Sequence, residues 1–169
     1  MKRKSTTPLG AITRGAVAGA IGTVAMDAFL YARFRSGGGD QEPLEWEFGG
    51  ASAWDKVSAP AQVGRRLFEG FTQRPLDDRW ARTTNNVMHW GYGIAWGAAL
   101  GVVAGSLSRN RFVYGPLFGA TVWGSSYVTL PLAGLYKPIW KYSVAELAPD
   151  LGAHLTYGTV TDLALRVLP

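Results

Sequence analysis

Two long stretches of this chain carry no charged side chain. Between positions 83 and 108, 26 residues include no Asp, Glu, Lys or Arg, and between 112 and 136 another 25 include none. Neither stretch alternates apolar and polar residues as a half-buried strand does. About 20 mostly apolar residues, rising 1.5 Å each, cross a hydrocarbon core of ~30 Å. Both stretches therefore read as transmembrane helices, over about 84–108 and 112–136. A third apolar run, about 9–34, is interrupted by Arg14 and Asp27. Arg14 lies near its start, where a long stem reaches the interface, whereas Asp27 lies deeper. A fourth, about 143–168, carries Glu146, Asp150, His154, Asp162 and Arg166 around the uncharged "LGAHLTYGTVT". Ser143 and Glu146 have capping-box spacing, and Pro149 predicts a kink. The expected fold is all-α: a polytopic membrane four-helix bundle, one domain over 1–169.

The connection over 35–83 is polar and opens with the turn signal "RSGGGDQEP". Within it, "APAQVGRRLFEGF" predicts an amphipathic helix over about 59–72. Pro60 suits its first turn, and Val63, Leu67 and Phe71 recur every four residues. Such a helix lies on a membrane surface, covers the mouth of the bundle, or packs on its own loop.

The two histidines sit in similar settings, "HWGYG" from His89 and "HLTYG" from His154, 65 residues apart. The first helices also correspond, with Gly15 and Gly19 matching Gly115 and Gly119 at an offset of 100. These matches predict two pseudo-repeated helical hairpins. Each hairpin enters and leaves on the same side, so the repeats are parallel, with the histidines as symmetry mates at similar depth. Gly15, Gly19, Gly93, Gly97, Gly101, Gly105, Gly115 and Gly119 supply the helix-packing grooves. Lipid tails offer no hydrophobic drive between helices, so close backbone approach has to hold them.

Composition changes this picture little. Hydrophobic residues make up 47% and charged residues 17% of the chain, less charge than the usual quarter. The 33–82 segment alone holds eight acids and eight bases, which dilutes the hydropathy of its flanks. A net charge of +5 comes from bases that flank apolar runs rather than from one stripe, which favours a lipid partner over nucleic acid. No cysteine is present, so disulfides and thiolate metal sites are excluded. "MKRK" before an apolar run also fits a signal peptide, but the match between the first and third segments favours a span. Tyr136, Trp140 and Tyr142 with Lys137 and Lys141 predict an interfacial belt. The basic start, with Arg109 and Arg111, favours both termini on the cytoplasmic side.

The chemistry concentrates in a few polar groups inside the apolar runs. A carboxylate at a helix centre costs about 2.5–3.5 kcal/mol to insert, so such groups face inward and pair. On the fourth helix Asp150, His154, Tyr157 and Thr161 share a face. Asp27, His89, Glu146, Asp150 and His154 fall in the half nearest the long loop, and we expect one shared cluster with Tyr92 and Tyr157 as neighbours. Its expected use is helix packing or assembly with a membrane-protein partner or further copies of the chain. A small transporter or proton-coupled permeation unit is the alternative, since histidine titrates near neutrality. An intramembrane divalent-metal site is a second alternative, because imidazole and carboxylate together suit such ions. No nucleophile elbow, phosphate loop or His-Glu-x-x-His occurs, so neither catalytic residues nor a cofactor nor an enzymatic role is expected.

With "RGAVAGAIGTVAMD" from Arg14, "HWGYG" from His89, and "HLTYG" preceded by Glu146, most of the chain outside the 35–80 loop resembles a YagU-like family of small bacterial inner-membrane proteins. That resemblance implies a multi-pass protein of the bacterial inner membrane and supplies no reaction.

Overall fold

The computed structural model describes residues 7–49, 53–55, 57–104 and 114–168. Its described residues are helical, joined by turns, with no strand among them. Six α-helices follow in order: α1 (Pro8–Ser36), α2 (Pro43–Gly49), α3 (Ala59–Thr72), α4 (Ala81–Ala104), α5 (Tyr114–Leu132) and α6 (Val144–Val167).

Local chemistry explains the ends. The Thr7 hydroxyl accepts from the Gly10 N–H at 3.1 Å, and Pro8 fills the first position of α1. Arg33 and Arg35 lie in its last turn, where cations complement the helix dipole. At α6, Ser143 and Glu146 form the complete capping box. The helix runs on through Pro149 in its second turn. At that place the missing N–H leaves only the Ala145 carbonyl without its helical donor.

The third long helix stops earlier than the apolar run does. Gly134 takes φ +67°, its N–H donates to the Pro131 carbonyl at 2.9 Å, and that of Leu135 donates to Leu130 at 2.9 Å. This pair of bonds is a Schellman cap, so glycine rather than hydropathy ends α5. Tyr136 therefore lies outside the helix. It packs its ring against Tyr127 and Tyr142, while Trp140 is 81% exposed.

Backbone packing runs α4 to α1, α1 to α6 and α6 to α5. Two of these contacts are glycine crossings. A Cβ added to Gly19 would lie 2.9 Å from Gly97 Cα, and one added to Gly115 would lie 2.8 Å from Thr159 Cα. Gly15, Gly93 and Gly101 join the first crossing, and Gly119 and Gly158 the second. Gly105 lies outside the described residues. The α1–α6 contact is built from Ala18, Ala164 and Leu165, with Gly22 against Tyr157 and Thr161. Arg14 donates to the Leu165 and Leu168 carbonyls at 3.2 and 2.8 Å. Across the remaining side, α4 and α5 meet through side chains, with Trp96 and Phe118 ring centres 6.1 Å apart.

The long connection folds back over one end of the helices. Trp54, Ala61 and Ala81 form a small core of their own. The Trp54 indole donates to the Leu76 carbonyl at 2.9 Å, and Gln62 donates to the Trp54 carbonyl. The amphipathic helix α3 docks on α4 by a face other than the one its Val63-Leu67-Phe71 spacing predicts. Ala61 is buried and Gly64 sits over Thr84 and Met88, so the smallest residues approach the neighbour. Leu67 and Phe71 point outward, Phe71 being 87% exposed. Two long helical runs, Pro8–Ser36 and Asp78–Ala104, are long and apolar enough to cross a membrane.

Candidate functional site

Following α1 from its glycines toward the long loop, every fourth residue is Gly15, Gly19, Thr23 and Asp27. Following α4 back toward the same loop, the matching steps are Gly101, Gly97, Gly93 and His89. Residues four apart lie on one helix face, so the two stripes face each other. Glycine opposes glycine, Thr23 lies against Gly93, and the series ends in an ion pair. His89 Nε2 donates to Asp27 Oδ1 at 2.8 Å. Asp27 is 8% exposed, and its Oδ2 is buried with no hydrogen-bond partner.

A third group joins them from α2, a short helix within the polar 35–83 connection. Glu47 brings a carboxylate oxygen to the same place, so that ligand atoms of Asp27, Glu47 and His89 all lie within 4.8 Å of one another. The Trp90 indole holds Glu47 by donating to Oε1 at 2.9 Å. Burial raises the Glu47 carboxyl above its ordinary range, the Trp90 bond opposes this, and the Asp27 charge adds to it. α2 is held in place by Trp46, whose ring lies 5.4 Å from that of Tyr31 on α1.

A second network lies between α5 and α6. Asp150 Oδ2 accepts from the Trp123 indole at 2.9 Å and the Tyr127 hydroxyl at 2.8 Å. The His154 Nδ1–H donates to the Asp150 carbonyl at 2.8 Å and lies 3.4 Å from Asp150 Oδ1. Every oxygen of this carboxylate therefore has a near donor.

The expected single cluster is thus divided in two, and some of its members are elsewhere. Asp27 and His89 belong to the first network, Asp150 and His154 to the second. Glu146 is exposed, and its carboxylate turns back to the Ser143 N–H at 2.7 Å, because the capping box claims it. Tyr157 donates to the Gly93 carbonyl at 2.6 Å, which ties α6 to α4 rather than to either acid. Tyr92 lies outward on α4, its hydroxyl 3.4 Å from Ser125 Oγ. The histidines also differ in level. The His154 backbone meets Gly119 at the crossing, as Gly93 meets Gly19, while His89 stands one turn beyond.

Glu47, Trp90 and Trp123 were missed. Their partners are 20 or more residues away in sequence, and no local spacing links them. The one signal for Glu47 was an acid inside the aromatic run "LEWEF". No protein-family model matches the chain, and no curated protein or solved structure matches it.

Proposed function

We propose that the chain is a non-enzymatic, multi-pass membrane protein. In this reading α1, α4, α5 and α6 form a four-helix bundle, and its buried polar networks hold the helices in register for assembly with a partner. The observation that carries this is an inverted size gradient. Gly15, Gly19, Gly97, Gly158, Ala18 and Ala153 take most of the inward positions, beside the larger Val122, Tyr157 and Leu165, while Ile21, Val24, Val102, Leu117 and Val128 face outward. Water-soluble helices bury their large aliphatic side chains. Helices in lipid gain nothing by that and pack through small residues.

The same contacts support a repeat, in a register corrected by the glycines. Gly15 and Gly115 differ by 100, and Gly97 and Gly158, which meet them, by 61. On that alignment Asp27 corresponds to Tyr127 and His89 to Asp150. Each hairpin then ends its glycine crossing in one acid–donor pair, with the acid on opposite helices of the two. The α4–α5 side, closed by side chains alone, is the face on which a second copy or another membrane protein would complete the packing. Membership of the YagU-like family, residence in the bacterial inner membrane and cytoplasmic termini belong to this same proposal.

Membrane fractionation tests it. The protein should stay in the pellet after alkaline carbonate extraction. Because the chain has no cysteine, single cysteines placed at Ser36 and Lys137 should label from the same side with a membrane-impermeant maleimide. Release by carbonate, or a monomer soluble without detergent, overturns the reading.

A further inference from the structure

We propose that Asp27, Glu47 and His89 bind one divalent first-row transition-metal ion of the zinc or manganese class. The proposal stands on side-chain geometry and does not depend on the membrane reading.

Three separate elements bring the ligands together. Asp27 comes from α1, Glu47 from α2 and His89 from α4, and their ligand atoms fall within 4.8 Å of one another. Ions of this class bind such atoms at about 2.0–2.2 Å, which sets ligand atoms ~3.0–3.6 Å apart. The His89–Asp27 pair, at 2.8 Å, has only to open by a few tenths. Glu47 closes the remaining distance from a short helix that is not part of a glycine crossing. When His89 takes the ion through Nε2, the proton there passes to solvent.

The independent observation is the orphaned oxygen. Asp27 Oδ2 is buried and unpartnered in a side chain otherwise held by His89. A buried carboxylate oxygen without a donor is costly, and a cation relieves it. Charge points the same way. Among the described residues, no lysine or arginine ion pair reaches Asp27 or Glu47. Two carboxylates beside one imidazole are a donor set that a divalent ion accepts. The second network makes the contrast, because Trp123, Tyr127 and His154 already satisfy Asp150.

The donor set selects the ion. One imidazole with two carboxylates suits zinc, manganese, iron(II) or cobalt, whereas magnesium and calcium prefer oxygen alone. Trp90 takes the outer-shell role, fixing one Glu47 oxygen and leaving the other for the metal. Three protein ligands leave room for water.

The test uses the full chain in detergent, stripped with a chelator and titrated with cobalt(II) and then zinc chloride. The expected result is one equivalent of cobalt with a visible ligand-field absorption, displaced by zinc and not by excess magnesium. Glu47→Gln should weaken binding at least tenfold while leaving the helical circular dichroism of the metal-free protein unchanged. Trp90→Phe should weaken it about 10- to 100-fold, and His154→Gln should bind like the unmodified chain. Absence of stoichiometric binding overturns the site, as does wild-type affinity in Glu47→Gln or equal loss in His154→Gln.

Discussion

Replacing Gly97 by alanine isolates the packing force that holds α1 to α4. A Cβ there would lie 2.5 Å from the Gly15 carbonyl oxygen and 2.6 Å from the Gly19 nitrogen. Ordinary heavy-atom contacts are about 3.5–4.0 Å, so the helices must separate by roughly 1 Å. The neighbours are backbone atoms on two successive turns and cannot rotate away. A gap of 0.5–1 Å forfeits about a quarter to a half of each contact's attraction, and overpacking of this kind costs about 1–3 kcal/mol. Alanine also gains up to ~1 kcal/mol of helix propensity over glycine. Gly91→Ala on the same helix measures that gain alone, since nothing lies within 4 Å of its added Cβ. The difference between the two variants is then the packing cost, about 1–3 kcal/mol. Unfolding in mixed micelles by graded addition of dodecyl sulfate, followed by the emission of the seven tryptophans, reads it. Equal stability of Gly97→Ala and Gly91→Ala would refute the claim that the crossing is held by glycine contact.

Two further outcomes follow from the polar groups. His89→Leu leaves the buried Asp27 carboxylate unpaired and should cost about 3–5 kcal/mol, most of which is regained when Asp27→Leu is added; additive losses in that double-mutant cycle would show the pair to be uncoupled. Glu69 accepts from the Leu76 N–H at 3.0 Å and from Arg65 at 2.9 Å, which together hold its carboxyl below the ordinary range. The folded loop thus binds its proton less readily than the unfolded loop. The stability this adds is full above the ordinary carboxylate value and is lost as pH falls through the depressed one. Acid should loosen the Trp54 core, read as a shift in its emission in a chain retaining Trp54 alone, and Glu69→Gln should remove the pH dependence.

The parts of this fold legible in sequence are those written in local spacing. The long uncharged runs supply most of α4 and all of α5, and the Ser143–Glu146 box and the Gly15–Gly19 and Gly93–Gly97–Gly101 steps each lie within one helix. What failed depended on distance along the chain or on competition between neighbours. Glu146 lies on the polar side of α6, but a hydrogen bond three residues away outcompetes the distant cluster. Leu67 and Phe71 make the apolar side of α3, yet Ala61 and Gly64 allow the closer approach and win the contact. The two histidine motifs lie 65 residues apart, whereas Gly97 and Gly158, which sit against Gly15 and Gly115, lie 61 apart, so His89 and His154 stand at different levels.

The order of the helices bears on how such a chain is made. Asp27 meets His89 across 62 residues, whereas α5 and α6 are joined by one short link. At about 5–20 residues per second, the first helix leaves the ribosome some ~3–12 s before its counter-group has been translated. In the membrane-spanning arrangement proposed above, the Asp27 carboxylate would pass that interval without its counter-group. Asp150, by contrast, is made 27 residues after Trp123 and 23 after Tyr127, so its donors precede it.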